Sequence, residues 1–419
     1  MKVVVIGAGS GGLCAARHSL AAGLEVIVYE QTGEIGGTWM YRDEVGKDEY
    51  GLDIHSSMYQ GLMTNLPKEI MGFPDYRIVN DERSFITSAK VLEFHHLYAD
   101  HYDLKKWIKF HHHVVRVVPH GESQWEVLVK NLTENTYSTT IFDAIFICNG
   151  HYSSPSYPDY PGREIYRGRQ MHSHDYRSKD IFCGERVLVI GAGPSGFDLV
   201  KDACKVAEYV VHSHHWAELP RAPFPSNVVQ KCVDVSRLTA DGVVFADSTS
   251  ESFTIIVYCT GYKFKFPFLS VDCGVTVEQN YLHPLYQHCL NINHPTMAFI
   301  GICNFVIASQ MMDLQVRFAL KFITGMKDLP PKEEMFASEK YEITRRLKKG
   351  LSLRKAHFLG TDQGKYFEEL ARIADIEPLP PVFATLHTEI CKLIRSDIIN
   401  FRRHNYKIVD DYTFDKLTE

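Results

Sequence analysis

The feature that most constrains this chain is a glycine-rich unit that occurs twice. Near the start, Val3-Val4-Val5-Ile6 leads into Gly7-Ala8-Gly9-Ser10-Gly11-Gly12, then a helical run from Leu13 to Ala22, then Glu25 to Tyr29, ending at Glu30. The same order returns as Arg186 to Ile190, Gly191-Ala192-Gly193-Pro194-Ser195-Gly196, a helical run to about Ala207, and Tyr209 to Ser213. A single G-x-G-x-x-G is a weak sign, because three glycines arise by chance in many chains; two copies, each set between an apolar β-branched strand and an amphipathic helix, are a strong one. The physical demand is specific. Gly7 and Gly191 make a tight turn, Gly9 and Gly193 let a pyrophosphate approach the backbone, and Gly12 and Gly196 let the helix pack close to the strand. The helix N-termini around Ser10, Gly11 and Ser195 then offer amide donors to phosphate.

This duplication predicts an α/β chain with two Rossmann-like dinucleotide-binding domains, the smaller inserted in the larger. Tyr152 to Pro161 is rich in proline, serine and aspartate and reads as a linker out, while Phe253 to Tyr258 reads as a strand that returns the chain at Cys259-Thr260-Gly261-Tyr262. The larger domain is expected to span 1–156 and 262–419, and the smaller 157–261. The larger is completed by helical patterns such as Leu314 to Ile323, and the stretch from Lys332 reads as mostly helical.

The residue at the end of the second strand tells the dinucleotides apart. Glu30 falls 23 positions after Gly7, where a carboxylate bonds the adenosine ribose hydroxyls, which suits FAD. The same count from Gly191 lands on His214, between Ser213 and His215, with Arg221 close behind. No carboxylate repels a 2'-phosphate there, and hydroxyl, imidazole and guanidinium groups are at hand to hold one, so NADPH is favoured over NADH.

Composition serves mainly to exclude. A net charge of -6 offers no basic field for nucleic acid. The longest apolar stretch, Thr296 to Met312, is broken by Gly301, Asn304 and Ser309 and reads as a strand running into a helix, with no membrane anchor. The 10 cysteines form no C-x-x-C pair, which argues against a disulfide reductase and against zinc. His111-His112-His113 is not expected to bind metal, since consecutive strand residues point to opposite faces. The chain opens directly on a strand, so a cytoplasmic location is expected; secretion, which would suit the sequon at Asn131, requires a leader removed upstream.

Between the two units, Tyr166-Arg167-Gly168-Arg169-Gln170-Met171-His172-Ser173-His174-Asp175-Tyr176 matches F-x-G-x-x-x-H-x-x-x-(Y/F), with Tyr for the leading Phe. That pattern resembles the fingerprint of flavin-containing monooxygenases. Glu34 to Trp39 resembles the family's second flavin-contacting segment, Thr64 to Glu69 and Phe73 to Tyr76 its active-site stretch, and Cys148 to His151 and Cys259 to Tyr262 its domain-crossing strand ends. The chain is most similar to the soluble insect-type branch, which includes pyrrolizidine alkaloid N-oxygenases. The resemblance implies an enzyme in which NADPH reduces FAD, dioxygen forms a flavin hydroperoxide, and an amine, alkaloid or sulfide takes one oxygen atom. It also implies that Asn65 is catalytic, that Gly37, Thr38 and Trp39 lie by the flavin, that the backbone at Val114 touches adenine, and that Gln315 belongs to the cofactor site. His172 and Tyr176 are expected to be structural or cofactor-bridging. Tyr176, where Baeyer-Villiger monooxygenases usually carry Trp, favours heteroatom oxygenation. A Baeyer-Villiger monooxygenase and a peroxide-releasing NADPH oxidase stay open as alternatives, and the apolar C-terminal surface is compatible with a homo-oligomer.

Overall fold

Val3, Val4 and Val5 are wholly buried, as are Val187, Leu188 and Val189. Strands apolar on both faces must be covered on both faces, which is the condition for a parallel sheet inside an α/β layer structure. In the computed structural model, which describes residues 1–79, 83–216 and 222–417, each run forms the middle of such a sheet. The first sheet has the strand order 285–286, 290–291, 297–299, 144–147, 2–6, 25–29, 108–109. Its five strands from 297–299 onward are parallel, and the two at the far edge are antiparallel. The second sheet is parallel throughout, in the order 228–231, 209–213, 186–190, 255–258, 169–172. All of its strands come from the segment between Arg169 and Tyr258.

The two units share one register. Lys2 pairs with Glu25 and Ile6 with Tyr29; Arg186 pairs with Tyr209 and Ile190 with Ser213. The first helix runs Ser10–Ala21, and the second runs Pro194–Ala203, four residues short of the sequence expectation because the chain turns after Cys204. Where the chain leaves for the second sheet and where it comes back, its two crossings lie side by side. Ser156 N donates to Gly261 O at 2.9 Å and Lys263 N to Ser154 O at 2.8 Å.

On one face of the first sheet lies an antiparallel three-stranded sheet (His112–His120, Gln124–Asn131, Thr136–Phe142), which packs Val117, Trp125 and Val127 against Val4, Ile145 and Phe299. On the other lie the helices Ser10–Ala21, Ser88–His101 and Ala308–Ile323, through Leu13, Phe94 and Leu314. Thr296 to Met312 is the expected strand and helix start, and no helix among the described residues is long and apolar enough to cross a membrane. The C-terminal stretch contains helices Lys332–Lys348, Gln363–Ala374 and Pro381–Ser396, then an unforeseen hairpin, Asn405–Ile408 with Phe414–Leu417. Its register is held from afar: Ser84 N donates to Asn405 Oδ1 at 2.9 Å, and Tyr406 N to Ser84 Oγ at 2.8 Å.

Candidate active site

Parallel strands end together, and the turns that follow them leave a crevice. Here a cleft of about 900 Å³ opens where the strands at 2–6, 25–29 and 144–147 end. Gly7, Gly9, Ser10 and Gly11 line it, Glu30 stands at one end, and Asn65 faces it elsewhere. Residues His174 and Asp175, which follow a strand of the second sheet, also reach its wall.

The glycines are required by contact. Gly7 has φ +100°, and a Cβ there would lie 2.7 Å from the Cys148 carbonyl oxygen; a Cβ on Gly12 would lie 1.8 Å from Gly7 O. Gly9 is different. A Cβ there would meet Gly37 Cα at an ordinary 3.5 Å, so its side remains free toward the cleft. Gly36 N donates to Ala8 O at 3.1 Å, which brings the turn at Gly36 and Gly37, with Thr38 and Trp39, against the first glycine turn. Two motifs distant in sequence thus form one backbone cradle. The buried Thr38 Oγ1 and His151 Nε2 along this cleft have no partner within the protein, and such groups are costly unless a ligand or water supplies one.

Glu30 is 6% exposed. Burial pushes its carboxyl up, opposed by bonds from Thr32 N, Ala8 N and Thr32 Oγ1. Oε2 accepts from Ala8 N at 2.8 Å and Oε1 from Thr32 N and Oγ1, each at 2.9 Å. Val114 lines the same region, beside His112 and His113. His111 lies outside the strand at φ +54° and faces Tyr50 OH at 3.2 Å, while His112 stacks on Tyr29 with centroids 6.0 Å apart. The histidine run is therefore split among separate partners.

Elsewhere along the cleft, burial pushes His55 and His151 down to about 4, so both are neutral near pH 7. Burial also raises the Cys148 thiol, and among the described residues Cys148 is the one cysteine that lines the cleft. Asn65 Oδ1 accepts a hydrogen bond from Arg402 Nη2, a partner the sequence did not suggest. Nothing local marks Arg402; only the fold brings the C-terminal segment to it.

Gln315 departs from expectation. It is completely buried away from the cleft, its Oε1 accepting from Gly301 N at 3.0 Å and its Nε2 donating to Tyr366 OH at 2.8 Å. Its reach to the cleft is indirect, through Gly301, which lines it. Tyr176 is buried with its hydroxyl on Asp202 at 2.9 Å, and His172 Nδ1 accepts from His174 N at 3.1 Å, both within the protein scaffold.

The second glycine turn repeats the first. Gly191 has φ +117° with its Cβ position 2.4 Å from Cys259 O; the Cβ position of Gly196 is 2.0 Å from Gly191 O; that of Gly193 has nothing within 4 Å. Ser195 sits in the first turn of the helix. Ser213 differs from the sequence reading, because its hydroxyl is turned inward and donates to Val233 O at 2.6 Å. His214 is buried with Nδ1 unpartnered, and Arg221 lies outside the described residues.

Among the described residues, Cys14, His18 and Asp313 bring their ligand atoms within 4.8 Å of one another. His18 and Asp313 are already spent on protein bonds. Arg17 Nη1 faces His18 Nδ1 at 2.8 Å, which leaves His18 Nε2 to donate to Asp313 Oδ1 at 2.5 Å, and Arg317 Nε takes Asp313 Oδ2 at 2.6 Å. This is a network joining two helices.

With two nucleotide turns and a shared cleft described, comparison with known proteins decides the family. Residues 1–218 and 216–392 match the flavin-binding monooxygenase-like family. The chain belongs to that family. It is a flavin-dependent monooxygenase. It is 36% identical to senecionine N-oxygenase of Tyria jacobaeae, covering 99% of this chain and 91% of that protein. It is 33% identical to flavin-containing monooxygenase FMO GS-OX-like 4 of Arabidopsis thaliana, over 88% of this chain and 86% of the relative. The solved structure of S-allyl-L-cysteine S-oxygenase from Allium sativum superposes with a TM-score of 0.90 at 29% identity, covering 96% of this chain and 94% of that one.

Proposed function

We propose that this monooxygenase oxidises tertiary amines, pyrrolizidine-type alkaloids among them, to N-oxides. The observation that carries the reading is the single cleft that joins the first glycine turn to Asn65 and receives His174 and Asp175 from beyond the second sheet. The second glycine turn does not itself line this cleft, so a reductant held by the second unit reaches a flavin held by the first by extending past His174 and Asp175 into it. FAD held here would supply the redox chemistry by which NADPH and dioxygen deliver one oxygen atom to the substrate. The chain's own residues do the rest.

Gly7, Gly9, Ser10, Gly11 and Gly12 form the pyrophosphate turn for FAD, Glu30 holds its ribose, Gly37, Thr38 and Trp39 border its ring system, and Val114 borders its adenine. Gly191, Gly193, Ser195 and Gly196 hold the pyrophosphate of NADPH, with His214 and Arg221 at its adenosine end; the larger unit is 1–156 with 262–419 and the smaller is 157–261. Asn65 donates from its amide toward the reacting region, and along the cleft the neutral His55 and His151 add no ionised group that would attract water. The near full-length relationship to senecionine N-oxygenase favours nitrogen. Sulfur is the second reading, favoured by the S-oxygenase whose structure this chain resembles.

The test is product analysis under labelled dioxygen. Purified protein with NADPH is expected to place one labelled atom on a tertiary amine, in step with NADPH consumed, and faster than on a matched sulfide. Peroxide release unaffected by either substrate would overturn the assignment.

A further inference from the structure

Arg402 sits where three parts of the molecule meet. It lies in the short helical turn Phe401–Arg403, and Phe401 anchors that turn by packing edge-on against Phe85 with ring centroids 5.4 Å apart. Its side chain is 13% exposed and has more than one partner. Nε donates to Thr64 O at 2.9 Å, Nη2 donates to Asn65 Oδ1, and Nη1 and Nη2 donate to the two Asp198 oxygens at 2.8 and 2.9 Å. Asp198 lies on the helix that begins at the second glycine turn, and Tyr59 OH also donates to it at 2.8 Å. The same helix is held again nearby, where Lys201 Nζ donates to Ile399 O at 3.3 Å.

We infer that Arg402 is a positioning residue for the oxygenation reaction: it fixes the carboxamide of Asn65 with its donor end toward the cleft and ties that setting to the helix of the second nucleotide unit. The inference rests on the role proposed for Asn65. A carboxamide has an accepting end and a donating end, and by itself either can face the cleft. A guanidinium has five donors and no acceptor, so it bonds only the oxygen. With Oδ1 held by Arg402, the NH₂ group is the end left for the cleft that Asn65 lines. The planar fork matters as well as the charge. It spans Thr64 O, Asn65 Oδ1 and the Asp198 carboxylate at once, whereas a lysine ammonium can satisfy the carboxylate or the asparagine but lacks the geometry for all. The arrangement also explains why a segment more than 300 positions from Asn65 must fold back over it: |i−j| is 337 for Asn65 and Arg402.

The experiment compares Asn65→Ala, Arg402→Ala, Arg402→Lys and the double variant Asn65→Ala/Arg402→Ala as holoenzymes. Two quantities are read: N-oxide and peroxide formed per NADPH, and the change that NADP+ makes in the visible band of bound FAD. Arg402→Ala is expected to keep its FAD and to lower the N-oxide yield per NADPH by about tenfold, within the range known for a misplaced catalytic group. It is expected to alter the NADP+-induced spectral change in the same sense as Asn65→Ala. The double variant should be no worse than Asn65→Ala, because two groups acting through one another are not additive. Arg402→Lys should fall between wild type and Arg402→Ala, and it carries the same test if the alanine variant does not fold. Normal coupling in Arg402→Lys and Arg402→Ala, with Asn65→Ala uncoupled, would overturn the inference about Arg402 alone. Normal coupling in Asn65→Ala would overturn the role of Asn65 and this inference with it.

Discussion

The two Rossmann units share a strand register and the same three glycine constraints, yet they are secured in opposite ways. The helix of the first unit is fixed from inside its own layer: His18 and Arg317 hold the buried carboxylate of Asp313, which pins the helix Ser10–Ala21 to the helix Ala308–Ile323. The helix of the second unit is secured by side chains from outside its sheet. Asp198 receives Tyr59 and Arg402. The residues after their second strands differ too, an acceptor-rich Glu30 against a buried imidazole at His214 whose pKa burial lowers. A duplicated sequence can therefore yield one helix held by its own layer and another held by side chains from distant parts of the chain.

The comparison breaks most severely at the glycines the two units share. Gly12→Ala and Gly196→Ala each drive a Cβ into a backbone oxygen, at 1.8 and 2.0 Å, and no side chain can move aside to admit it. Each is expected to cost more than about 4 kcal/mol, visible as a loss of soluble protein or a large fall in Tm. Equal loss from both would show the units to be sterically equivalent, and a tolerated substitution in either would refute that.

Next is the buried network, which belongs to the first unit alone. Asp313→Asn should cost about 3 kcal/mol near pH 7, because it leaves His18 and Arg317 facing a neutral amide. Burial alone would raise the Asp313 carboxyl, but the hydrogen bonds from His18 and Arg317 and the charge of Arg317 outweigh it and hold the group below the ordinary carboxylate range. A lowered folded value means the stabilisation is present above the unfolded pKa, about 4, and is lost as pH falls through the folded value. The Tm gap between wild type and Asp313→Asn should thus narrow below about pH 4. A gap that does not depend on pH would contradict the ion-pair account.

A smaller effect tests the docking of the second unit. Tyr59→Phe removes one bond to Asp198 while Arg402 keeps the carboxylate paired, so about 1 kcal/mol is expected by denaturant titration. The smallest concerns reductant choice. Arg221→Ala should lower the ratio of kcat/KM for NADPH over NADH by about tenfold or less, and an unchanged ratio would remove Arg221 as the phosphate reader.

What could be read from the residues followed from local steric rules. Glycine spacing, β-branched strands and the position of Glu30 carry their reasons within about thirty residues, so the two units and the glycine-turn end of the cleft were legible, whereas Trp39, Asn65 and Val114 were reached only through the family resemblance. Gln315 was misplaced, since a polar residue on an apolar helix looks alike whether it faces a ligand or satisfies Gly301 N. Ser213 was half read: the register was right, but the direction of its hydroxyl depends on Val233, whose nearness is a property of the folded loop. Arg402 was not legible at all. Its importance lies in partners contributed by Thr64, Asn65 and Asp198, and no periodicity links such distant positions.

The most direct test of the division of labour between the two units uses the second glycine of each. Gly9→Ala meets only an ordinary contact, and Gly193→Ala meets nothing within 4 Å, so both should fold while filling the space a pyrophosphate needs. The measurement is FAD bound per chain after purification. The account predicts that Gly9→Ala loses most of its FAD, and that Gly193→Ala retains a full complement. FAD lost from Gly193→Ala and kept by Gly9→Ala would contradict it.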